Sequence, residues 1–224
     1  MCGRYTLTVD KDQLSEHFGC PVIVPDYRPR YNAAPSQLMP VVWDERGQTN
    51  LTMMKWGLVP HWAKDPALGN KLINARAETL AEKPAFRDSF QRRRCIIPAD
   101  GYYEWMKLGQ IKQPMRIVLK SQEPFGMAGL WDRWTDAEGH VLSSFTVITT
   151  AAAGPVRHIH NRMPLILNRA DEADWLHSEL KSLTEATSFL AQLKPSEHLK
   201  AYPVDPMVNS PVHDRPELIM PVND

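Results

Sequence analysis

The sequence predicts an α+β fold: a curved mixed or antiparallel β-sheet, or a barrel-like core, with peripheral helices, carried by residues 1–224 as one domain. Three observations point there. Strand-like runs outnumber helical ones and follow no strand–helix–strand rhythm, which argues against a doubly wound parallel sheet. The 19 prolines are spread along the chain rather than gathered in a linker, so they break long helices and punctuate short strands. No internal repeat or composition shift marks a boundary, and 224 residues suffice for one sizeable hydrophobic core.

In chain order, residues 10–18 read as the first helix, with Asp10 or Asp12 as its cap and Gly19 as its stop. Apolar β-type runs at 38–43 and 51–56 are joined by the turn-like Asp44-Glu-Arg-Gly-Gln. From 78 to 93 the pattern turns helical, interrupted at Pro84. Further strands are expected at 95–98, 102–105, 115–119, 125–130, 145–150 and 164–167. Two late helices, rich in Asp and Glu, are expected at 170–180 and 182–193.

Composition narrows the classes. No apolar run approaches the roughly 20 residues of a membrane-spanning helix, and the N-terminus lacks the hydrophobic stretch of a secretory leader. Cys2, Cys20 and Cys95 are odd in number and include no CxxC pair, which suits a reducing, cytoplasmic location. Formal net charge is zero, but residues 1–120 hold 18 Lys+Arg against 12 Asp+Glu, and residues 121–224 hold 8 against 14. Such asymmetry fits a basic face on a neutral molecule, and it equally fits solvated acidic helices.

The chemistry begins at the N-terminus. Methionine is normally removed when a small residue follows it, and here that residue is Cys2. A free N-terminal cysteine carries an α-amine of ordinary pKa about 8 beside a thiol of about 8.5. An aldehyde meeting them forms an imine with the amine, and the thiol then closes a thiazolidine ring. Arg4, two residues on, is placed to favour the thiolate. By itself, Cys-Gly at a chain end is more often inert than reactive.

Six motifs change that balance. Met1-Cys-Gly-Arg-Tyr, Arg30-Tyr-Asn-Ala-Ala-Pro35, Trp56-Gly-Leu-Val-Pro-His-Trp62, Ile73-Asn-Ala-Arg-Ala-Glu78, Ile97-Pro-Ala-Asp-Gly-Tyr-Tyr-Glu-Trp105 and His160-Asn-Arg-Met-Pro164 occur in that order. The set closely resembles the SRAP family, the abasic-site processing proteins also called SOS-response-associated peptidases. The ending Glu217-Leu-Ile-Met-Pro-Val222 is similar to the family's as well.

The resemblance implies a single SRAP-type domain that senses and shields abasic sites in single-stranded DNA. Cys2 matches the nucleophile that captures the ring-opened aldehyde as a covalent thiazolidine crosslink. Asn74 and Arg76 match positions that hold the abasic sugar and neighbouring phosphate, the latter suited to the planar fork of Arg. Glu104 matches the catalytic carboxylate, set among aromatics that would raise its pKa. His160 matches the histidine that protonates the sugar oxygen and assists reversal. Backbone contacts are implied for Arg4 and Arg162, and stacking or wedging beside the lesion for Asn32, Pro35 and Trp62. Thr150 completes the expected DNA-contact set. Family members often carry a second aromatic where this chain has Ala63, so the wedge is expected to be weaker or differently built.

The resemblance also implies a secondary peptidase activity, removal of the residue before Cys2 by the same Glu104 and His160. No cofactor is expected. The pair His158 and His160 has no third ligand at suitable spacing, so no metal site is expected either. The implied partner is abasic single-stranded DNA, with no membrane, and the chain is expected to be a monomer. Arg92-Arg-Arg94 reads equally as a phosphate patch or a solvated helix end. Two other readings remain. An N-terminal Cys-Gly also opens class II glutamine amidotransferases, but the chain has only Arg133-Trp-Thr-Asp where they carry a substrate motif, and no Asn-Gly. A non-covalent single-stranded-DNA module would leave Cys2 idle.

Overall fold

A computed structural model of the chain describes residues 2–20, 24 and 27–222. The first strand, β1 (Tyr5–Leu7), leads into helix α1 (Lys11–Phe18). Asp10 caps α1: its carboxylate accepts from the Gln13 amide at 2.9 Å while the Asp10 amide donates to the Gln13 side chain at 3.1 Å. Gly19 ends the helix in the left-handed conformation, φ 64°. Strand β2 (Arg30–Ala33) precedes a long hairpin of β3 (Leu38–Glu45) and β4 (Gln48–Trp56), which turns at Arg46 and Gly47.

The chain then runs through β5 (Asn74–Arg76), α2 (Arg87–Arg92), β6 (Arg94–Ala99), β7 (Gly101–Leu108) and β8 (Ile111–Leu119). After them come β9 (Phe125–Thr135), β10 (Val141–Ala151), β11 (Arg162–Pro164), α3 (Glu172–His177), α4 (Leu183–Gln192) and β12 (Leu199–Pro203).

These strands make two layers. One is an antiparallel sheet in the order β12-β8-β7-β1-β2. The other closes on itself: β3, β4, β10, β9 and β6 form a ring in which only the β4–β10 contact is parallel. Strands β5 and β11 lie against the far end of β10. The fold is therefore α+β with a barrel-like closed sheet.

The two layers meet through aromatic packing. Tyr5 of the open sheet lies 5.1 Å from Trp56 of the barrel, and Trp56 stacks on Phe145 at 6.1 Å. Burial of such side chains contributes about 1.5–3 kcal/mol each. The outer face of the open sheet is covered by the C-terminal segment, where Tyr103 packs with Val204, Val208 and Leu218. Strand alternation thus sends Tyr102 and Glu104 toward the barrel and Tyr103 away from it.

Several elements differ from expectation. The helical stretch expected at 78–93 is only a 3₁₀ turn (Ala77–Thr79) and α2, because Pro84 cannot continue a helix between them. The late helix expected at 170–180 is a 3₁₀ turn followed by α3, which stops at His177. Beyond β11, residue Ile166 makes a single bridge to Met127. Strands β1, β2, β5 and β12 were not anticipated.

One loop needs two glycines. At Gly57, φ 125°, an added Cβ would sit 2.6 Å from the Gly69 carbonyl oxygen, and at Gly69 one would sit 2.6 Å from the Gly57 oxygen. This close backbone approach folds the segment after β4 onto itself and carries Trp62 outward.

Candidate active site

Cys2 sits just before β1 and is completely buried. Burial, and next the charge of Glu104, push its thiol far above the ordinary range, so sulfur rests as the protonated thiol. Its weak Sγ contact is to the Arg4 carbonyl, 3.9 Å away. The residue is positioned through its backbone instead. Asn74, the first residue of β5, donates from Nδ2 to the Cys2 carbonyl at 2.8 Å. Pairing of β5 with β10, Asn74 beside Val147, fixes that side chain. The Asn74 Oδ1 is buried and has no partner among the described residues, leaving an acceptor beside Cys2.

Glu104 comes from the middle of β7 and is 3% exposed. Burial raises its carboxyl, while the charge of His160 works in the opposite direction. His160 Nδ1 lies 4.0 Å from Glu104 Oε1 and accepts from the Arg162 amide at 3.0 Å. The imidazole is partly exposed, so it stands at the mouth of the site while Glu104 lies within. A buried thiol, a carboxyl with a raised pKa and an imidazole open to solvent can together move protons around a carbonyl.

The expected DNA contacts fall into two groups. Arg76 is exposed at the end of β5, Trp62 is 51% exposed, and Thr150 and Pro35 are partly covered. Trp62 borders a cleft of about 470 Å³ that Lys64, Leu68 and Lys71 also line. Ala63 is buried beneath it, its carbonyl accepting from Trp134 Nε1 at 2.7 Å. Arg162 is already engaged: its fork meets Glu78 at 2.6 and 3.0 Å and the Thr149 carbonyl at 2.5 Å. That hydrogen bond holds the Glu78 carboxyl below its usual range. Glu78 closes the Ile73–Glu78 motif, and its partner Arg162 lies 84 positions away, so nothing local in the sequence marks the pair.

Asn32 and Arg4 are engaged within the fold. Asn32 is fully buried in β2, donating to the carbonyls of Val208, Ser210 and His213 at 3.2, 3.1 and 2.8 Å. Arg4 donates to Asn32 Oδ1 at 2.8 Å and to the Val208 and Asn209 carbonyls at 2.7 and 3.0 Å. Both fasten the C-terminal segment to the strands beside Cys2, and Asn32 has no donor left for a ligand. Arg92-Arg-Arg94 is not a phosphate patch. Arg94 is buried, donates to the carbonyls of Trp175 and Gln91 at 2.8 Å each, and is pulled down to about 10 by burial. Arg93 pairs with Asp88 and Asp132, and only Arg92 extends outward.

The chain matches the family model described as SOS response associated peptidase (SRAP) over residues 1–211. It is 44% identical over 222 residues to the abasic site processing protein YoqW of Bacillus subtilis, covering 98% of this chain and 99% of the relative. With the abasic site processing protein YedK of Escherichia coli it shares 30% identity, covering 99% of this chain and 100% of the relative. A crystal structure of a protein from Bacteroides thetaiotaomicron is similar at TM-score 0.87 and 28% identity, covering 99% of this chain and 100% of that one.

Proposed function

We propose, from the premise that this chain belongs to the SOS response associated peptidase (SRAP) family, that it processes abasic sites in DNA and captures them on single strands through Cys2. The observation carrying this reading is the convergence of four side chains from separate segments. Asn74 holds the Cys2 carbonyl at 2.8 Å, and Glu104, whose charge acts on the Cys2 sulfur, lies 4.0 Å from His160.

The chemistry needs the free amine of Cys2, so Met1, which lies outside the described residues, has to be removed. His160 protonates the deoxyribose ring oxygen and promotes opening of the hemiacetal to the aldehyde. The Cys2 amine adds to the aldehyde carbon. Glu104 delivers a proton to the departing hydroxyl, water leaves, and an iminium remains. Sulfur then adds to the same carbon, closing a thiazolidine. Holding thiol and iminium on one residue confers an effective concentration of up to about 10⁵ M or more. The same Glu104 and His160 serve removal of Met1 and reversal of the crosslink as secondary activities. Arg76, Arg162 and Trp62 line the approach for phosphate and bases, with Arg4 acting through the strand beside Cys2. The chain acts as a monomeric unit using its own groups, and no described helix is long and apolar enough to cross a membrane.

Intact-mass analysis after incubation with a single-stranded oligonucleotide bearing one abasic site tests this. The expected product is the chain without Met1 plus the oligonucleotide, less one water. Cys2→Ala should bind the strand yet give no denaturation-resistant product; a covalent band that persists in that variant refutes the reading.

A further inference from the structure

His61 precedes Trp62 in the loop after β4. The two are the central residues of a turn that the Ala63 amide closes on the Pro60 carbonyl at 2.9 Å. Three bonds to the barrel strands pin that turn. The Val59 amide donates to Ser144 Oγ at 2.8 Å, the His61 amide to Asp132 Oδ2 at 3.0 Å, and Trp134 Nε1 to the Ala63 carbonyl at 2.7 Å. Both side chains at its tip are half-exposed. The turn thus mounts an indole and an imidazole side by side on a fixed support.

The imidazole is itself oriented. Its Nδ1 lies 3.2 Å from Oδ2 of the buried Asp132. A carboxylate only accepts, so Nδ1 carries the proton there and Nε2 is the atom left for a ligand. Asp132 does not depend on the ring. Its oxygens already accept from the His61 and Arg133 amides at 3.0 and 2.8 Å, and Arg93 Nε lies 3.1 Å from Oδ1. The contact therefore serves the imidazole rather than the carboxylate. The charged groups around it are Asp132 of β9, Arg93 behind that carboxylate, and Asp88 of α2, which Arg92 and Arg93 share. Lys64 and Asp65 follow on the same loop.

We infer that His61 binds a backbone phosphate of single-stranded DNA, its imidazolium Nε2 donating beside a base stacked on Trp62. This rests on the DNA-processing reading above but not on the covalent chemistry of Cys2. The cleft of about 470 Å³ next to the turn carries Lys64 and Lys71 beside the exposed indole. Cations set around an aromatic face hold a single strand without reading its sequence. His61 differs from those lysines in carrying its charge only once protonated. An imidazole ordinarily gains its proton between about pH 8 and pH 5. Strand binding through His61 therefore takes up a proton and strengthens as pH falls.

Anisotropy titrations with an undamaged single strand compare wild type with His61→Gln, at about pH 6 and about pH 8 and from about 50 to about 200 mM salt. At the lower pH the variant should bind about threefold more weakly. Its slope of log Kd against log salt should be smaller by about 0.7, the share of one phosphate on a single strand. At the higher pH the two proteins should converge. An unchanged affinity and slope at the lower pH overturns the inference, as does an equal loss at both, which would report a damaged turn. His140→Gln removes another exposed imidazole, one held 2.8 Å from Asp136, and should change neither quantity. A loss equal to that of His61→Gln would reduce the effect to a distant charge and overturn the contact. If wild type does not bind the strand at all, the DNA reading fails first; an unaffected variant beside a wild type that binds removes the role of His61 alone.

Discussion

Arg162 is held by a carboxylate before any nucleic acid arrives. Both terminal nitrogens of its fork meet Glu78, and its side chain is 14% exposed against 52% for Glu78. A phosphate that takes this fork has to displace Glu78. Partly exposed pairs contribute about 0.2–1 kcal/mol after solvent screening, and the mostly buried guanidinium places this one toward the upper end. Glu78→Gln should therefore tighten binding of undamaged single-stranded DNA by about 1 kcal/mol, roughly fivefold. Anisotropy titrations at about 50 and about 200 mM salt measure it, and the gain should shrink at the higher salt. In an Arg162→Ala background the gain should vanish, a double-mutant cycle that isolates the pair. An equal gain without Arg162 would show general charge repulsion and refute the displacement argument. No gain in either background would mean that phosphate does not use this fork.

Two further outcomes follow from the burial of Glu104 and Asn32. Glu104→Gln should slow covalent capture by about 10²-fold or more while leaving reversible strand binding nearly intact. Because the folded carboxyl is raised above its unfolded value of about 4.3, the stability it contributes is full below that value and is lost as pH rises through the folded one. The glutamine variant should thus melt at an equal or higher temperature at neutral pH, with the difference closing near pH 4; a lower melting point at neutral pH would assign Glu104 a structural role. Asn32→Ala should cost about 2–4 kcal/mol by urea unfolding, since it strips a partner from Arg4 and from three carbonyls. A loss below about 0.5 kcal/mol would contradict its fastening role.

What could be read in the sequence was largely local. The Asp10 cap, the Gly19 stop and the apolar runs of β3, β4, β6 and β9 follow from neighbouring residues. The hairpin of β7 and β8 extends past its apolar stretch, because its outer residues, such as Lys107 and Lys112, pair through the backbone. Asn74–Arg76 is a strand only because β10 lies beside it, and no three-residue run carries a period. At the site, resemblance named Cys2, Asn74, Glu104 and His160. It could not show that Asn74 acts on the Cys2 backbone, or that Arg4 and Asn32 reach across the sheet to residues 208–213, contacts set by tertiary packing.

The tie between Arg4, Asn32 and the C-terminal segment also sets an order of events during synthesis. Cys2 leaves the ribosome long before the carbonyls of Val208 and Asn209 that anchor Arg4. Asp214, which accepts from the Tyr31 and Asn32 amides, comes later still. A nascent chain that still lacks residues 208–214 therefore leaves Arg4 and Asn32 without the partners that hold them, so the strands beside Cys2 are fastened only after a segment more than 200 positions away has been made.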